Sequence, residues 1–116
     1  MNSIANIVGP IYQSLLKLCE REGIALNLDL THPSRKVRQE NLLREFLKTS
    51  MTLAVKNCRK GNKITLVQTI ADNHLVFSLK YDGALLDDAA KTKLDKQGYA
   101  HRSRFGYGNT ISVQLN

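Results

Sequence analysis

Tryptophan is absent, and tyrosine (four) and phenylalanine (three) are the only aromatic residues. Proteins that grip single-stranded nucleic acid stack bases on exposed rings, so the composition argues against a dedicated nucleic-acid stripe. Cysteine occurs twice, as Cys19 and Cys58, far apart and without the Cys-x-x-Cys spacing of a metal or redox motif. Buried free thiols are the expectation. No apolar run approaches the roughly 20 residues that a membrane-spanning helix needs. The N-terminus shows no basic region followed by an apolar core and a small-residue cleavage site. A cytoplasmic location with no membrane contact is therefore expected. His32, His74 and His101 stand in no metal or phospho-acceptor pattern and read as surface residues. Ser, Cys and Asp form no nucleophile–base constellation at a recognisable spacing.

The 116 residues suffice for one core and one domain, 1–116, and 42% of them are hydrophobic. Acidic residues are the minority sign: 17 Lys and Arg against 10 Asp and Glu give a net charge of +7. Such a balance favours anionic partners: nucleotides, nucleic acid or acidic protein surfaces. The cations fall in several short clusters (Arg35, Lys36, Arg38; Lys56, Arg59, Lys60, Lys63; Lys91, Lys93, Lys96; Arg102, Arg104). That dispersion reads as a solvated basic surface, with nucleic acid the less favoured partner.

Ile4, Ile7, Val8, Ile11, Leu15, Leu18 and Cys19 recur at helical spacing between Ser3 and Glu22. Gly9-Pro10 either kinks this helix or marks its start, and Gly23 ends it. Ile24 to Leu30 alternates apolar and polar residues, as a half-buried strand does. A long helix is expected from Glu40 to Arg59, with Leu43, Leu47, Met51, Ala54 and Cys58 as its stripe and Gly61-Asn62 closing it. Lys63 to Ile70 and Leu75 to Tyr81 form a hairpin turned by Ala71-Asp72-Asn73-His74. Leu85 to Leu94 reads as a short lid helix and Gln97 to Gly108 as a loop. Thr110 to Asn116 alternates like a strand, a truncated helix being the alternative. The order predicts an α+β fold: a two-layer sandwich with helices on one face of a mixed or antiparallel sheet.

One stretch is more specific. Ala54, Val55, Lys56, Gly61, Lys63, Ile64, Thr65 and Leu66 end an amphipathic helix, make a basic turn and start a strand. Glycine-bearing loops follow at Tyr81-Asp82-Gly83 and Arg104-Phe105-Gly106-Tyr107-Gly108. This arrangement resembles the ATP-binding domain of histidine kinases, the GHKL or Bergerat fold shared with gyrase and MutL proteins, from about Ile7 to the end.

The resemblance implies where ATP and magnesium would sit. The family's magnesium-holding asparagine aligns with Leu53, which offers no oxygen, although Mg²⁺ demands hard oxygen ligands. The polar residue a turn earlier aligns with Thr49, a poor base, and Asn57 lies one turn beyond. The aspartate that reads adenine aligns with Tyr81, with Asp82 adjacent. Gly83 takes the first glycine position and Leu85 the second. The second glycine box supplies backbone N–H groups around the triphosphate at a helix start. Gly106 and Gly108 match it, with Arg102 and Arg104 as phosphate donors. Lys56, Asn57, Asp82, Gly83, Arg104, Gly106 and Gly108 are thus the candidate nucleotide residues.

The implied function is a two-component histidine-kinase ATPase domain with a degraded nucleotide site, a pseudokinase-like signalling or regulatory module. Its partner would be a receiver or dimerisation domain, and a substrate histidine would lie outside these residues. Two alternatives stand beside it. One is an active divergent kinase domain that uses Asn57 or Asp82. The other is a basic module docking an acidic protein or nucleic acid.

Overall fold

Ser3 opens the first element of the structure, a computed structural model that describes residues 1–116. Its hydroxyl accepts the Asn6 N–H at 3.1 Å, satisfying one of the free donors at the start of α1 (Ile4–Glu22). The helix runs through Gly9-Pro10 instead of starting there. Proline removes the bond to the carbonyl four residues back, here Asn6. Pro10 and Asn6 are both exposed, so water can satisfy that carbonyl. Gly23, left-handed at φ 72°, stops the helix.

The chain continues as β1 (Ala25–Leu30), α2 (Glu40–Asn57), β2 (Lys63–Ala71), β3 (His74–Tyr81), α3 (Asp88–Gln97), β4 (Ala100–Arg104) and β5 (Gly108–Leu115). The five strands form one mixed sheet in the order β1-β2-β3-β5-β4. β1 pairs parallel to β2, which requires a long crossover, and α2 supplies it. The other pairs are antiparallel.

Alternation along the strands sorts the residues by face. Leu26, Ile64, Leu66, Leu75, Phe77, Leu79, Ile111, Val113 and Leu115 are buried. They meet Ile4, Ile7 and Val8 of α1, Leu43, Phe46, Leu47 and Met51 of α2, and Leu94 of α3 in one apolar cluster. The Phe46 and Tyr99 rings meet edge to face at 5.2 Å, a favoured aromatic geometry. The opposite face carries Thr65, Ser78, Lys80, Thr110 and Ser112 and stays partly or fully open. Ser78 and Ser112 bond each other across it at 2.9 Å. The sandwich expected from the sequence is the fold observed.

Several boundaries differ from expectation. α2 stops at Asn57, not Arg59, because Cys58 is extended. Gly61-Asn62 is a separate turn with its own bonds, Asn62 Oδ1 accepting the Arg59 N–H at 2.7 Å. The hairpin turn is two residues, Asp72 and Asn73, both with positive φ (51° and 66°), as a type I′ turn demands. α3 starts at Asp88, three residues after Leu85, because the Asp87 carboxylate caps it by accepting the Ala90 N–H at 2.8 Å. The expected loop Gln97–Gly108 contains strand β4, and the last segment is strand β5.

Glycine fits the second position of a type I′ turn better than asparagine. Asn73→Gly should therefore raise stability by about 0.5 kcal/mol. Asn73→Val should lower it by about 1–2 kcal/mol through left-handed strain. Urea-denaturation midpoints measure both.

Candidate functional site

Asn57, Asp82 and Gly83 meet where α2 ends and β3 leaves the sheet. Only the six residues between Tyr81 and Asp88 join β3 to α3, and they are bonded straight onto their neighbours. The Ala84 N–H donates to the Asn57 carbonyl at 3.0 Å. The Cys58 thiol donates to the Asp82 carbonyl at 2.9 Å. The Leu86 N–H donates to Ser103 Oγ at 2.9 Å and to Asn109 Oδ1 at 3.2 Å. Asn109, itself buried, returns its amide to the carbonyls of Ala84 (3.1 Å) and Tyr81 (3.4 Å).

Each candidate residue has a definite place in this arrangement. Lys56 is exposed on α2. Asn57 turns its side-chain amide back to the Leu53 carbonyl at 2.9 Å. Asp82 Oδ1 accepts the Lys63 N–H at 2.6 Å, holding the start of β2. Gly83 has φ 131°, and a Cβ there would come 2.5 Å from the Asn57 carbonyl oxygen. Gly106 lies in the β4–β5 hairpin turn between Phe105 and Tyr107, and Gly108 opens β5, so neither stands at a helix start. The helix that does start nearby, α3, presents Asp87 and Asp88 at its N-terminus, where carboxylates already occupy the positive dipole end.

Tyr81 is buried, with its side chain on the helix-facing side of β3. Asn57 sits beside its hydroxyl but bonds Leu53, so the phenol oxygen has no hydrogen-bond partner. Burial pushes the Tyr81 pKa up to about 12, a rise that nearby Asn57 partly offsets. Burial, and then the neighbouring Asp82 carboxylate, push the Cys58 thiol up to about 11. Neither group is poised for proton transfer near neutral pH. Leu86 is the leucine that enters the core, whereas Leu85 is 43% exposed.

Two grooves flank this region. One, of about 340 Å³ between α2 and α3, contains Thr49, Lys48 and Lys93 and no apolar side chain. Thr49 there accepts from Gln97 at 3.3 Å. The other, of about 540 Å³, collects Asp82, Gly83, Arg104, Gly106 and Gly108 with Lys63, Lys80 and Tyr107. Five of the seven candidate residues thus share a groove that neither Lys56 nor Asn57 lines. A magnesium ion beside α2 would find leucine at position 53, which offers no side-chain oxygen, so that position does not fit a magnesium–nucleotide complex; Asn57, one turn on, is bonded through its amide nitrogen alone. Asn109 was missed by sequence reasoning. Its signal was its place in the period-2 register Asn109-Ile111-Val113-Leu115, whose other members all face the core.

No protein-family model matches the chain, and no curated protein matches it. Solved structures do. The catalytic domain of histidine kinase ThkA, in a nucleotide-free form, aligns with TM-score 0.80 at 11% identity, over 97% of this chain and 91% of that one. ThkA in complex with the response regulator TrrA aligns with TM-score 0.77 at 12% identity, over 99% of this chain and 40% of that one. The blue-light activated histidine kinase of Erythrobacter litoralis aligns with TM-score 0.74 at 13% identity, over 97% and 41%. The chain therefore has the fold of histidine-kinase catalytic domains and spans less than half of the two longer kinase chains. No helix in it is long and apolar enough to cross a membrane.

Two substitutions probe the closed region. Removing a buried hydroxyl that lacks a partner should cost nothing, so Tyr81→Phe should keep or raise stability, by up to about 1 kcal/mol. Because folding raises the Tyr81 pKa, its neutral form supports the fold fully below pH 10. That support is lost as pH climbs from about 10 through about 12. Tyr81→Phe should flatten the stability loss in this window, read by chemical denaturation at successive pH values. Gly83→Ala should destabilise by about 2 kcal/mol or more, since its Cβ meets backbone that cannot swing away. Thermal melts check it.

Proposed function

We propose that this chain is a histidine-kinase-type catalytic scaffold with a degraded nucleotide site, working as a signalling or regulatory module through protein contacts. The observation that carries the reading is the direct clasp between the Tyr81–Asp88 connection and the end of α2. Six residues make this connection, and the bond from the Ala84 N–H to the Asn57 carbonyl holds them against the end of α2, the side on which the resemblance would seat a nucleotide. The acidic start of α3 adds to this. A triphosphate there would meet Asp87 and Asp88 in place of free N–H donors, and like charges at that range repel.

The reading of an active divergent domain needs Asn57 or Asp82 to supply the lost oxygens. Asp82 Oδ1 already accepts the Lys63 N–H that holds the start of β2, and Asn57, whose amide nitrogen is bonded to the Leu53 carbonyl, has only its oxygen left to offer, one turn beyond Leu53. A receiver domain is the natural class of partner on this proposal, since ThkA is found with a response regulator. A dimerisation domain is the other.

Calorimetry with ATP and magnesium is the test. We expect no binding up to about 1 mM, which corresponds to less than about 4 kcal/mol of affinity. We also expect Asn57→Ala to behave like the parent. Tight magnesium-dependent binding with phosphate release, lost in Asn57→Ala, would establish the active reading instead.

A further inference from the structure

The loop that closes against α2 opens on its other side into the 540 Å³ groove, and the sheet register shows what that groove presents. Lys80, Thr110 and Arg102 lie in one row across β3, β5 and β4. Two residues on, and so on the same open face, Lys63 on β2 and Arg104 on β4 stand in the next row with Asp82 and Gly108 between them. Strand spacing places β2 and β4 about 14 Å apart. Four cations therefore frame a trough at one end of the uncovered sheet face. A neighbouring groove of about 370 Å³, sharing Lys80 and Thr110 and adding Arg102, extends it along the strands. The one carboxylate in the trough, Asp82, is bonded by the Lys63 N–H.

The hairpin tip adds rings to the charges. Phe105 is 92% exposed and Tyr107 82% exposed. The Arg104 guanidinium lies over the Tyr107 ring, 5.2 Å from its centroid. That contact fixes one ring face and leaves the other free. Nothing within the chain explains two fully presented rings at a basic tip, since neither adds to the core. Aromatic residues are few in this sequence, yet the fold sends two of them to the same turn.

We propose that this trough binds single-stranded nucleic acid. Lys63, Lys80, Arg102 and Arg104 take successive phosphates, and bases stack on Phe105 and Tyr107. An open groove spanning several strands suits a chain of alternating phosphates and bases. A lone nucleotide would leave most of it empty. A duplex, whose bases are already stacked, offers nothing to the rings. An acidic peptide would satisfy the cations but not the flat, protruding aromatics. This inference is independent of the closed ATP cleft, because its residues lie on the opposite side of the connecting loop.

The test is fluorescence anisotropy with a labelled oligothymidylate of about twelve nucleotides, a duplex of equal length and a polyglutamate peptide of equal length. The single strand should bind tightest, its affinity falling with salt at a log–log slope of about −0.7 per phosphate contact, so about −2 to −3 in all. Phe105→Ala with Tyr107→Ala should weaken it roughly ten-fold or more, with the circular dichroism spectrum unchanged because both rings are exposed. Lys80→Ala or Arg104→Ala should each reduce the slope by about 0.7. Arg35→Ala with Arg38→Ala removes charge at the other end of the sheet and should change affinity less than two-fold. No binding of the single strand overturns the proposal. So does equal or tighter binding of the duplex or polyglutamate, an unaltered affinity in the ring variant, or an equal loss in the Arg35 and Arg38 variant.

Discussion

The carboxamide of Asn109 holds the junction on which the rest of the architecture turns. It is buried at the first core-facing position of β5, and it accepts from Leu86 and Ser103 while donating to Tyr81 and Ala84. A buried amide is costly unless both its oxygen and its nitrogen are bonded, and here both are. One side chain thus ties the end of β3, the start of the α3 connection, β4 and β5 together. The same connection is then bonded to Asn57 and Cys58 at the end of α2. The helix layer and the sheet are thereby joined at the ends of α2 and β3.

That closure has a physical logic. A cleft between two layers exposes apolar floor and unpaired backbone, which only a bound ligand or water can cover. Without a ligand, the low-energy alternative is to let the connecting loop settle into the space and satisfy its own N–H and C=O groups. Gly83 permits the settling, since any side chain there would strike the Asn57 carbonyl. Tyr81 is buried on the helix-facing side of β3, with its hydroxyl left without a partner. Asp87 caps α3 from within the chain, its carboxylate accepting the Ala90 N–H. Each local choice points the same way, which is the consistency expected of a folded sequence that does not keep an open cavity.

Most of the framework could be read from periodicity. α2, β2, β3 and β5 bury large aliphatic and aromatic residues in strict 3.6 or 2.0 registers, and their existence follows from those registers. β4 could not be read in the same way. Its inward positions are His101 and Ser103, which bond Asp95 at 2.7 Å and Asn109 instead of entering apolar packing. An edge strand whose inward face is polar carries no hydrophobic alternation. α3 gave a weak signal because only Ala90 and Leu94 are buried. At the site, the leucine at position 53, set against the asparagine that the resemblance implies, could be read from residue types alone. The placement of Gly106 and Gly108 could not, because a Gly-x-Gly reads alike in a β-hairpin and at a helix start. Only the pairing of β4 with β5 separates the two.

The hairpin that replaced the expected loop also relocates the chemistry. If Arg104 and Gly106 had stood at a helix start facing α2, the basic residues would have served the interlayer cleft. On the β4–β5 turn they face the other way, beside Lys63 and Lys80 on the sheet surface that no helix covers. Charge at that surface is cheap, because water screens and solvates it. The same charges inside the closed junction would demand partners that the hydrocarbon of Leu53 and Leu86 cannot give. The sequence therefore divides its polar investment by side. Bonded neutral amides and hydroxyls serve the interior, and free cations with presented rings serve the open end. On the reverse of the loop that is bonded to α2, the fold offers a surface whose charge and shape suit a chain-like anion.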